Sequence, residues 1–190
     1  MNAEQAKLRN IVVMAFGFSA MTRVFEKKST EAIVNKLSET LPQTTLLKTK
    51  KEFENLHDGF CRWFEQTVRT ADRKKDGKTI KKSHLASYGQ GAKVLDVALK
   101  VYVYYCHLPE KEKAKRTEEW LNAAIDTKMM KYLKETYPEA LIKATAIEDV
   151  DEKTYADLQK LVHTNIEHRF PSGTLPVQWD DVMWRKLNKV

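Results

Sequence analysis

The stretch from Ser87 to His107, SYGQGAKVLDVALKVYVYYCH, limits the possible folds more than any other part of the chain. It opens on Ser87-x-x-Gln90, the pattern of a capping box. There the serine hydroxyl takes the N–H three residues on, and the glutamine reaches back to the serine N–H. Pro109 cannot continue a helix, so the stop is expected near His107 or Leu108. At about 100° per residue, Val94, Leu95, Ala98, Leu99, Val101, Tyr102, Val103, Tyr105 and Cys106 cover most of the circumference. A helix that is apolar nearly all round has to be enclosed by other elements. The expectation is an all-α, single-domain bundle over residues 1–190, with about seven helices around a buried central helix at about 87–107.

The rest of the chain reads the same way. Only 6 Gly and 5 Pro occur in 190 residues, which suits helices on short connections rather than a β-sandwich. Helices are expected at 3–27, from the Ser29-Thr30 cap to about Leu41, and from the Thr49-x-x-Glu52 capping box to about Asp72. The third carries Phe53, Leu56, Phe60, Trp63, Phe64 and Val68 at helical spacing. Residues 109–116 read as a charged, solvated link. Helical segments follow from Thr117, through Met129 to Tyr137, from Asp149-x-x-Glu152 through Ile166, and over about 178–187, with Val182, Met183 and Trp184 inward. Residues 140–147 suit a strand or a helical turn equally. Ile11 to Ala20 has the length of a signal h-region, but no small-x-small site follows, and it reads as a buried N-terminal helix. No apolar run is long enough for a bilayer, so no membrane partner is expected. Cys61 and Cys106 read as reduced residues in apolar surroundings of a cytoplasmic protein, and a disulfide would require their helices to touch.

Chemistry concentrates in two places. Lys93, Asp96 and Lys100 lie within about 60° of one another on the central helix, and Tyr104 and His107 extend the sector. They form either the solvated face of that helix or a net-positive spot for a phosphate or carboxylate. In the second case Asp96, Tyr104 and His107 are the catalytic candidates, and Lys93, Lys100, Gln90 and Ser87 the ligand-binding ones. Just before the helix, residues 73–84 (RKKDGKTIKKSH) carry Arg73, Lys74, Lys75, Lys78, Lys81 and Lys82 against Asp76 alone. This segment is either a solvated tether or a loop that binds phosphates and leads into the N-terminus of the central helix. His57 and Cys61, spaced i, i+4, could both touch a zinc ion, but two ligands make no site and the pair reads as core. No metal and no cofactor is expected.

The pattern Ser87-Tyr-Gly-Gln-Gly-x-Lys93-x-Leu-Asp96-x-x-x-Lys100 resembles a motif of a family of small uncharacterised, all-helical bacterial and phage proteins. Phe53-x-x-x-His57-x-x-x-Cys61, Ala124-Ile125-Asp126 with Met129, and Leu175-Pro176 through Trp184 resemble its other segments in the same order. Asp96 stands where that family has Asn, Gly91 where it has Ala, and Ala124 where it has Pro. The resemblance implies one all-α domain, and its family has no established activity.

A net charge of +7, from 33 Lys and Arg against 26 Asp and Glu, favours an acidic partner. Three functions fit. The first is binding of nucleic acid, or another phosphate-bearing ligand, through the basic loop and the Lys/Asp stripe. The second is an enzyme acting on phosphoesters or nucleotides at the same stripe. The third is a non-enzymatic unit with a protein partner in a bacterial or phage defence or toxin-control system. Nothing in the sequence fixes an oligomeric state.

Overall fold

Capping side chains start most of the helices, and the computed structural model describes residues 2–189, with Met1 and Val190 outside it. Asn2, Thr49 and Ser87 each accept a hydrogen bond from the N–H three residues on, and each receives the reciprocal bond of a capping box. They open α1 (Ala3–Phe18), α3 (Lys50–Thr67) and α4 (Tyr88–Leu99). Asp126 and Asp151 cap α6 (Thr127–Thr136) and α7 (Glu152–Arg169) by accepting from Met129 N and Thr154 N. α2 (Lys27–Thr40), α5 (Lys111–Glu118) and α8 (Pro176–Asn188) complete eight α-helices among the described residues. The protein is predominantly helical, as the sequence indicates.

α4 is the enclosed helix. It packs most extensively on α3, with α1 and α7 against its other sides. Val94, Leu95, Ala98 and Leu99 are all at most 2% exposed. They belong to one contiguous apolar cluster that runs from Ile11 in α1 to Met183 in α8. Two glycines let α4 approach its neighbours. A Cβ on Gly91 would stand 2.8 Å from Phe64 Cβ, and one on Gly89 would stand 2.5 Å from Val150 Cβ. Both separations are closer than non-bonded carbons tolerate, so a methyl here would force the packing apart.

Several elements differ from the sequence expectation. α4 does not run on as α-helix to His107; residues Lys100–Tyr105 form a π-helical turn. The wider turn adds about one residue per turn and rotates everything after it. Tyr105 and Cys106 therefore reach the surface, where an α-helix would have held them inward. The first helix ends at Phe18 rather than 27, because Phe25 leaves it to pair with Thr70 in an isolated bridge. The link at 109–116 folds largely as α5, closed by Lys115 and Arg116 in its last turn, where cations suit the helix dipole. Residues 140–147 form neither a strand nor one helical turn, but irregular chain flanked by short 3₁₀ turns. In α8, Trp179 and Met183 point inward, while Val182 and Trp184 are about half exposed.

The basic segment is not a loop. Arg73–Lys75 (β1) and Lys78–Lys81 (β2) pair antiparallel across a turn at Asp76-Gly77, both with positive φ. A bulge lies between Arg73 and Lys74. This two-stranded ribbon is the only sheet among the described residues. No described helix is long and apolar enough to cross a membrane.

Candidate nucleic-acid interface and the buried polar cluster

Every residue from Asp72 to Lys82 is exposed, so neither face of the ribbon is packed on the helices. Six cations, Arg73, Lys74, Lys75, Lys78, Lys81 and Lys82, share it with two acids, Asp72 and Asp76. Lys81 pairs with Glu148 at 2.9 Å, and the other five have no ion-pair partner among the described residues. The ribbon is tied down only at its root. Ser83 N donates to Asp72 at 2.8 Å, Ser83 Oγ donates to Glu26 at 2.6 Å, and Thr70 and His84 exchange backbone and hydroxyl hydrogen bonds.

A cavity of about 340 Å³ opens at that root. Ribbon residues Arg73 and Lys81 line it together with Val24, Ala71, Ile147 and Gln90. The capping box commits Ser87 fully: its Oγ accepts from Gln90 N at 3.2 Å and donates to Ile147 O at 3.0 Å. Gln90 is only half committed. Its Oε1 accepts from Ser87 N at 3.0 Å, and its Nε2 has no partner among the described residues.

The structure does not bring Lys93, Asp96 and Lys100 together, and their stripe is not a solvent face. Asp96 is 2% exposed and turns toward α3 and α7. His57 Nε2 donates to its Oδ1 at 2.9 Å, and the Tyr155 hydroxyl donates to its Oδ2 at 2.8 Å. The His57 and Tyr155 rings stack at 5.4 Å. On the other side of the imidazole, Nδ1 lies 3.7 Å from Cys61 Sγ. Burial opposes charge on His57, but Cys61 and the adjoining Asp96 carboxylate together hold its pKa well above the ordinary 6.5. Burial pushes the Cys61 thiol up, and burial with the Asp96 charge does the same to the Tyr155 phenol. The cluster is therefore an imidazolium–carboxylate pair with a neutral thiol and a neutral phenol. With Cys61 fully buried it acts as a polar brace between α3, α4 and α7, bordered by a cleft of about 460 Å³ whose lining residues Asp58 and Glu152 both pair with Arg62, at 2.8 and 2.7 Å.

Lys93 and Lys100 face a different cavity, of about 330 Å³, beside α8. Lys100 bonds Asp180 at 2.9 Å and also pairs with Asp181. Burial alone would lower the Lys100 pKa, and those two carboxylates instead hold it above the ordinary value. Burial lifts the Asp180 carboxyl to about 6 against the pull of Lys100. Burial lowers Lys93, an effect Asp126 and Asp180 only partly offset. With Asp126, Asp180 and Asp181 lining the same cavity, the expected surplus of positive charge is absent there. Tyr104 and His107 do not join Asp96 either. Tyr104 is half-buried beside Tyr105, and His107 is exposed, with Nδ1 3.6 Å from Glu118.

Sequence reasoning missed Tyr155, which looks like one more apolar position of α7, and Asp180, which looks like a surface residue at a helix start. The i, i+4 spacing of His57 and Cys61 on an apolar face was the one visible trace of the brace. No cluster of three or more His, Cys, Asp or Glu side chains arranged for a metal occurs among the described residues. No protein-family model, no curated protein and no solved structure matches the chain.

Proposed function

We propose that the protein binds nucleic acid through the basic ribbon. The observation behind this reading is the ribbon itself: residues 72–82 are exposed on both faces and carry five cations without an ion-pair partner among the described residues. Intramolecular packing gives no reason for such an element. A row of unneutralised lysines on a protruding strand pair suits a phosphate backbone, which gains from each cation through counterion release. A two-stranded ribbon is also narrow enough to enter a duplex major groove. The acid-rich cavity beside α8 does not contribute, so the phosphate-binding role expected of Lys93 and Lys100 is not carried forward.

Binding of labelled single- and double-stranded DNA and RNA, followed by anisotropy over a salt series, tests the reading. Replacing Lys74, Lys75, Lys78 and Lys82 by Ala should weaken binding to all sequences alike. It should also flatten the slope of log K against log salt by about 3–4, since each phosphate left without its cation removes about 0.7–0.9. Unchanged affinity and slope would remove the ribbon as the interface.

A further inference from the structure

The cavity at the root of the ribbon has the features of a site for a flat, uncharged ring attached to a phosphate. Its volume of about 340 Å³ lies at the small end of ligand pockets, which run from about 300 to 1,000 Å³. Val24, Ala71 and Ile147 give it apolar walls; of the two acids that line it, Glu148 is paired with Lys81 and Asp72 accepts from Ser83 N, while Arg23 and Arg73, both exposed and neither ion-paired among the described residues, stand at its edge. Gln90 is the decisive residue. It is 2% exposed, yet its side-chain nitrogen has no hydrogen-bond partner among the described residues. Among the described residues no buried side-chain nitrogen or oxygen is left both enclosed and unpartnered, so this amide nitrogen meets open space, and the space Gln90 lines is the cavity. A helix that needed only a cap would have been served by Glu at this position. Gln supplies a hydrogen-bond donor as well, and nucleobase edges present acceptors to such a donor.

We propose that this cavity receives one unstacked base of a single-stranded nucleic acid whose phosphates lie along the ribbon. The proposal rests on the ribbon reading and narrows it. A duplex keeps its bases stacked and paired, whereas a single strand can turn one out against apolar walls. Gln90 then donates to the base, Arg23 and Arg73 hold the flanking phosphates, and the ribbon lysines take the strand onward.

The test compares four probes with the full chain at fixed salt: a single-stranded oligonucleotide, its duplex, a strand of equal length made of abasic sites, and a nucleoside monophosphate as competitor. The single strand should bind about tenfold more tightly than the abasic strand, the effect of one well-placed base. Gln90→Glu keeps the capping acceptor but removes the donor; its added charge should weaken both strands alike, so the readout is the ratio of single-strand to abasic affinity, which should fall to near one. Ala146→Leu, which narrows the same cavity from another wall, should do likewise in a chain with the native cap. Thermal unfolding confirms that both variants fold. Equal binding of single, duplex and abasic strands would overturn the base pocket and leave the ribbon reading intact. Failure of every strand to bind would overturn both. Binding of the monophosphate alone would overturn the strand proposal and make the cavity a site for free nucleotides.

Discussion

Replacing Asp96 with Asn removes one charge and almost no volume from the centre of the molecule. In the native chain this carboxylate accepts from His57 and from Tyr155, and among the described residues no other carboxylate faces the imidazole in that cluster. Removing one member of a buried pair costs about 3–5 kcal/mol, because the remaining charge is left unpaired. Asn retains one acceptor oxygen, so the loss should fall at the low end, about 3 kcal/mol. For a chain of this length that corresponds to a melting temperature lower by roughly 6–12 °C. The pH dependence is the sharper test. The folded-state pKa of His57 lies above its unfolded value near 6.5, so the stability it contributes is fully present below 6.5. That contribution is lost as pH rises through the higher folded value. The variant lacks the carboxylate that raises the imidazole. The stability gap between the two proteins should therefore be widest below pH 6.5, while still above the carboxylate range, and narrow on the alkaline side. Urea unfolding of both proteins across this range, with NMR titration of the His57 ring, measures it. A gap under about 1 kcal/mol, the worth of an exposed pair, or one that widens with rising pH would refute the buried imidazolium–carboxylate pair.

Gly89→Ala should destabilise by about 1–3 kcal/mol in thermal unfolding, since its methyl would enter the space of the Val150 side chain. Asn165→Ala should cost about 1–3 kcal/mol, because Asn165 accepts from Trp179 Nε1 at 2.9 Å in a fully buried site and the indole N–H would be left without an acceptor. In the native state an alkylating reagent should modify Cys106, which is exposed, and spare Cys61, which is buried and whose thiol burial keeps protonated; equal rates read by mass spectrometry would contradict the packing of α3 on α4. Replacing residues 74–79 by a short Gly-Ser turn should change stability by less than about 0.5 kcal/mol, because the segment is exposed throughout.

Most of the helices and their order were legible in the sequence because the signals are local; α5, read as a solvated link, was the exception. A capping box such as Ser87-x-x-Gln90 or Thr49-x-x-Glu52 specifies its hydrogen bonds within four residues, and both form as read. An apolar helix such as α4 must be enclosed whatever surrounds it. The concentration of charge at 73–84 was equally plain, since it is a matter of composition. What the charge is mounted on was not plain, because strands of three and four residues leave little periodicity to read.

The tertiary structure decided what each polar group on α4 faces. Helical spacing put Lys93, Asp96 and Lys100 on one stripe, and that much follows from 3.6 residues per turn. It cannot say that α3 and α7 close over Asp96 while α8 brings Asp180 and Asp181 to Lys100. Those partners lie 39, 59 and 80 residues away for His57, Tyr155 and Asp180. The π-helical turn at Lys100–Tyr105 likewise depends on how the helix end packs, and it reassigns Tyr105 and Cys106 from the core to the surface. The sequence by itself determined a helical protein with an enclosed central helix and a strongly basic segment. Only the folded chain decided that its central aspartate is a brace, that its two lysines are countered by acids, and that the half-used amide of Gln90 opens into a cavity beneath the ribbon. Local hydrogen bonds and periodicity are written within a few residues, whereas the environment of a buried charge is set by elements that meet only after folding.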